Sequence, residues 1–141
     1  MNTIINFAAG YLAYGLLSGL YFRELTRGME GVDDGVLGSV HGHALALGMI
    51  FLLLVLSLEK HFGLTKIRGW KIFFSTYNIG LILMLIMLTI RGTLDILATP
   101  LSKALDSSIA GTAGIAHIFL TIGLIYFFVI LKRAVRLSST K

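Results

Sequence analysis

Four stretches of about twenty residues with no Asp, Glu, Lys or Arg, at 4–22, 39–58, 72–90 and 109–131, constrain this chain more than any other feature. Each is long enough to cross about 30 Å of hydrocarbon. Between them lie short clusters that hold nearly all the charge. The composition agrees, with 56% hydrophobic and 13% charged residues in 141 and a mean hydropathy of +0.87, too apolar for an ordinary soluble domain. Backbone N–H and C=O groups in lipid must be satisfied within each segment, so the spans are read as α-helices. Connections this short favour antiparallel neighbours. The expected fold is all-α: one integral membrane four-helix bundle over 1–141.

The first run has no basic segment ahead of it and continues to full span length, so it is read as a retained helix rather than a signal peptide. Cysteine is absent, which excludes disulfides, thiolate ligation and CxxCH haem attachment.

The basic residues divide unevenly. Lys60, Lys66, Arg68, Lys71, Lys132, Arg133, Arg136 and Lys141 fall on one side, whereas Arg23, Arg27, Arg91 and Lys103 fall on the other. The positive-inside bias then places both termini in the cytoplasm of a multi-pass protein of the inner (plasma) membrane. The formal charge of +5 reflects this topology rather than a nucleic-acid surface. The first outer loop, with Arg23, Glu24, Arg27, Glu30, Asp33 and Asp34, reads as a solvated turn or short interfacial segment. The second, 92–108, carries the only proline, Pro100, and has room for a short surface helix. Trp70 and Lys71 suit interface anchoring.

Small residues mark candidate helix contacts: Gly15 and Gly19 in a GxxxG, Gly42 with Ala46, and Gly111 with Gly114. They let backbones approach where lipid removes the hydrophobic drive for association. Packing within the chain is the first reading. An oligomer seam or a groove for a flat cofactor is the other, and Gly48 suits either.

The histidines carry the chemistry. His61 lies beside Lys60 in a basic loop and is set aside. His41, His43 and His117 fall within apolar spans, where an ionisable side chain is costly and marks a functional site by default. The bland alternative is a neutral imidazole hydrogen-bonded across helices. Residues two apart on a helix diverge by about 200°, so His41 and His43 do not chelate one ion. The i, i+4 pair of an HExxH-type grip is missing. At about 1.5 Å per residue, His43 lies about 6 Å and His117 about 12 Å below the same membrane edge. Their depths allow a shared cofactor. Haem b suits imidazole ligands, the lack of thiolate and an apolar slot between helices. Arg91 and Arg23, at span ends, are placed to meet its propionates. Zinc or copper has fewer ligands to draw on.

The stretch "HGHALALGMIFLLLVL" resembles the HGH segment of nitric oxide reductase large subunits, in the haem-copper oxidase superfamily. In that family the first histidine of the pair ligates a high-spin haem and the second a low-spin haem b, positions matched by His41 and His43. The family subunit has three arcs of four helices with ligands on the second helix of each. The resemblance therefore implies a homotrimer in which His41 of one protomer and His43 of the next approach one haem. The superfamily's other metal-binding histidine pair and its crosslinked tyrosine motif are absent, so oxygen or nitric oxide reduction does not carry over, and His117 has no assured counterpart. The chain as a whole resembles a small uncharacterised family of four-helix bacterial membrane proteins.

The leading expectation is thus a haem b membrane protein in electron transfer or haem or gas sensing. Its axial ligands are His41 and His43, with His117 a further candidate ligand, and its partners are the lipid bilayer, further copies of itself and a redox protein. The alternatives are a histidine-dependent proton or metal-ion transporter or channel, and a structural accessory subunit.

Overall fold

A computed structural model describes residues 1–29 and 35–139. Glu30, Asp33, Asp34 and Lys141 lie outside the described residues. The chain forms four long rods: α1 (Asn2–Thr26), α2 (Gly35–Phe62), α3 (Trp70–Ile96) and α4 (Lys103–Ser138). All four are long and apolar enough to cross a bilayer, and the chain is a multi-pass integral membrane protein. Each rod runs past the uncharged stretch that seeds it. α4, with 36 residues, is about 54 Å long.

The rods alternate in direction. Tyr11 packs on Gly48, Gly15 on Leu45 and Gly19 on His41, so α1 and α2 run antiparallel. Gly92 meets Leu37 near one end of α2 and α3, and Tyr77 bonds Leu47 further along, so this pair is antiparallel too. Both described chain ends therefore lie at one end of the bundle, here the Arg133 end; the opposite one is the Arg91 end. The Gly15/Gly19 pair serves packing within the chain, as the first reading of that motif expects.

Each connection has a local cause. Gly63 ends α2 with a left-handed φ of 62°, the conformation that a glycine after a helix supplies cheaply. Glu59 then accepts hydrogen bonds from Thr65 N (2.7 Å) and Oγ1 (2.6 Å), and Gly69, at φ 106°, starts α3. Trp70 stacks on Phe74, with ring centroids 5.5 Å apart. Between α3 and α4 the chain turns in 97–102 only. Ser102 caps α4 by accepting from Leu105 N at 3.3 Å, with Asp106 in the first turn facing the helix dipole. The room for a separate surface helix in 92–108 is taken up by α3 and α4 themselves.

The middle of α2 is unusual. Ala44–Ile50 is π-helical, and Phe51 N–H reaches back five residues to the Ala46 carbonyl. Such stretches are rare and often sit at functional sites. This one begins immediately after His43.

The core lies where the rods meet and is richest at the Arg133 end. There Phe51, Phe73, Tyr77 and Phe127 pack with centroids 4.7–6.4 Å apart. The α3–α4 seam is the most extensive. A Cβ on Gly80 would lie 2.6 Å from Leu120 N, and one on Gly123 would lie 2.8 Å from Tyr77 N. Backbone thus touches backbone at two levels.

Candidate functional site

His41 and His43 occupy the last α-helical turns of α2 before the π segment. His41 is exposed, its base resting beside α1, where a Cβ built on Gly19 would lie 3.7 Å from His41 Cβ. Next to it Gly42 has no atom within 4 Å of a built Cβ, and Ala46, one turn on, is exposed. His43 is half-buried, and its Nδ1 donates to the Ser39 carbonyl at 2.8 Å. A carbonyl can only accept, so the proton lies on Nδ1 in this arrangement.

His117 is on the exposed side of α4, its Nδ1 donating to Ala113 O at 2.8 Å. It lines a groove of about 400 Å³ between α3 and α4, together with Met84, Met87, Leu88, Ile109 and Ala113. Arg91 and Asp106 stand at the mouth of that groove. Arg91 bonds Asp106 directly and reaches Asp95 with Nε 3.1 Å from Oδ1, so two carboxylates share one guanidinium and the Asp106 pair clamps α3 to α4. Arg23 points elsewhere: its side chain is 76% exposed and its nearest charged partner is Glu24, at 3.9 Å.

These placements correct the haem assignment. Among the described residues no three His, Cys, Asp or Glu side chains come together to hold a metal ion. His117 lines the α3–α4 groove, whereas His41 and His43 belong to α2. Arg91, expected on a propionate, is already neutralised by Asp95 and Asp106, and Arg23 does not line the groove that Arg91 lines. The expectations of haem b, of iron or other metal binding and of a cytochrome in electron transport are therefore withdrawn. The reason is physical: divergence of adjacent histidines was legible from helical spacing, but convergence of histidines from different rods depends on rotation about each rod axis, which spacing does not specify.

A second polar constellation escaped the reading of the sequence. Tyr11 Oη donates to Asn78 Oδ1 at 2.9 Å, and Asn78 Nδ2 donates to Phe74 O at 2.7 Å. Tyr77 Oη donates to Leu47 O, inside the π segment, at 2.7 Å. Nearer the Arg91 end, Tyr14 Oη and Thr89 Oγ1 are 2.7 Å apart, and Tyr21 Oη and Thr93 Oγ1 are 3.2 Å apart. Tyr11, Tyr14 and Tyr21 thus tie α1 to α3, beside an apolar groove of about 450 Å³ lined by Phe7, Gly10, Ile82 and Ile86. The available signal was the i, i+3, i+10 spacing of Tyr11, Tyr14 and Tyr21, which places three hydroxyls along neighbouring faces of one helix. Among the described residues, no buried side-chain nitrogen or oxygen lacks a hydrogen-bond partner.

No curated protein and no solved structure matches the chain, so the likeness of the HGH stretch to haem-copper oxidase subunits has no support beyond that one helix. The likeness to a small uncharacterised four-helix membrane family is upheld. Residues 1–134 match a family described as a protein of unknown function, and the chain belongs to that family, DUF2871.

Proposed function

We propose that this protein is an assembling subunit of a membrane complex, a bundle that joins further copies of itself through the side of α2 bearing His41, Gly42 and Ala46. The observation that carries this reading is an exposed imidazole beside an open glycine, about 9 Å from the start of its helix. Ionisable side chains in spans normally face a bundle interior or a watery cavity, because hydrocarbon solvates them poorly. A second bundle seated on this face would cover His41, and Gly42 and Ala46 would let it approach closely. The face lies at the Arg91 end, away from most of the basic residues, which puts both termini in the cytoplasm on the positive-inside bias.

A proton relay, the other role open to intramembrane histidine, has less behind it. Among the described residues the buried hydroxyls and amide already have hydrogen-bond partners, and His117 lines the α3–α4 groove, which neither His41 nor His43 lines.

Native mass spectrometry of protein released in mild detergent tests the assembly. The unmodified chain is expected as a multimer. Gly42→Leu should shift it to monomer, while Gly10→Leu, an equally open glycine on α1, should leave the multimer intact. A monomeric unmodified chain, in detergent and in lipid nanodiscs alike, would overturn the reading.

A further inference from the structure

The α3–α4 groove holds a polar group with nothing to bond. His117 donates Nδ1–H to its own helix, which leaves Nε2 as the acceptor nitrogen at the far corner of the ring. No hydrogen bond to Nε2 is present among the described residues. In water this would be trivial, but in hydrocarbon an unmade hydrogen bond is costly. The groove around it is apolar apart from Arg91 and Asp106 at its mouth. His117 lies eleven residues beyond Asp106 on α4, about 16 Å deeper.

We infer that this groove binds a lipophilic phenol or hydroquinone drawn from the bilayer, with the ligand hydroxyl donating to His117 Nε2. Three features select that class. A neutral acceptor in an apolar wall calls for a neutral donor, since a cation brought to this depth would lose its hydration without a facing carboxylate. Met84 and Met87, three residues apart on α3, line the same groove, and thioethers make favourable contacts with aromatic rings. The volume, about 400 Å³, lies in the range of small-molecule pockets. At the mouth, two carboxylates outweigh the single charge of Arg91, so the local charge does not favour a carboxylated or phosphorylated head.

The test is equilibrium binding to the purified full chain in lipid nanodiscs, with empty nanodiscs subtracted for partition into lipid. The probes are decylubiquinol, its O,O-dimethyl ether and decylamine. Saturable binding of the hydroquinone is expected, weaker by about threefold to tenfold for the ether, the loss that one neutral hydrogen bond accounts for. His117→Leu should weaken the hydroquinone by a similar factor and leave the ether unchanged. Equal affinity of hydroquinone and ether for the unmodified protein overturns the proposal, a comparison that needs no variant to fold. Tighter capture of decylamine also overturns it, since Asp95 and Asp106 would then select the ligand. The groove lies within one bundle, so these outcomes stand apart from the number of copies found by mass spectrometry.

Discussion

α3 meets its neighbours in two opposite ways. Against residues 120–123 of α4 it makes a dry seam in which glycines remove the side chains and main chains touch, at Gly80 with Leu120 N and at Gly123 with Tyr77 N, and the α3–α4 groove opens only nearer the Arg91 end. Towards α1 it leaves a groove of about 450 Å³, beside the side chains of Tyr11 and Tyr14, which bond Asn78 and Thr89. Lipid tails are as apolar as the helices, so neither seam is driven by expulsion of water. One relies on dispersion at close range and the other on hydrogen bonds that lipid cannot replace. The first tolerates no added atom. The second tolerates changes of shape but not the loss of one partner from a pair.

That contrast sets the order of expected effects. The largest belongs to Gly123→Leu, which would drive a side chain into the backbone of Tyr77 and should cost about 3 kcal/mol or more. Reversible unfolding in mixed micelles measures it, and a loss below that of any polar substitution would break the comparison. Next comes Asn78→Leu, which orphans the buried Tyr11 hydroxyl and should cost about 1–2 kcal/mol. Adding Tyr11→Phe should recover part of that loss, since the pair is then removed together; strictly additive losses would show that the bond does not couple α1 to α3. The smallest is Tyr14→Phe, about 0.6 kcal/mol, the average reported for interhelical hydrogen bonds in membranes. Its hydroxyl is half-exposed to the groove, and Thr89 retains a bond to Leu85 O at 2.9 Å.

The π segment connects the two seams. Tyr77 belongs to the tight α3–α4 contact through its backbone and bonds the Leu47 carbonyl through its hydroxyl. Tyr11 belongs to the groove and lies over Gly48. Both tyrosines therefore grip the same irregular stretch of α2, just after the histidine pair. Widening the helix there changes the phase between the turns that carry His41 and the remainder of the rod, and the two tyrosines contact the helix where that change occurs.

Much of this was visible in the sequence and some was not, for reasons that differ by residue. The uncharged runs foretold four rods because the transfer of each side chain into hydrocarbon is a local property. Gly15 and Gly19 foretold a close approach, and α1 does lie on α2 there. The short spacing between the third and fourth runs left space for an extra helix around Pro100, yet α4 begins at Lys103, as Ser102 and Asp106 supply its cap and dipole partner. The partnership of Arg91 with Asp106, fifteen residues apart, follows from that tight turn and could have been read from it. Tyr11 with Asn78, 67 residues apart, could not.

The sequence by itself determined that the chain lives in a membrane, that it has four helices long and apolar enough to cross it and that most of its basic residues gather at one end, since hydrophobicity and charge act residue by residue against the solvent. Only the tertiary structure decided which side chains meet. Rotation of each rod about its axis is set by glycine contacts and the π segment, and that rotation left His41 and His117 on the outside of the bundle, in separate places, instead of around a common centre.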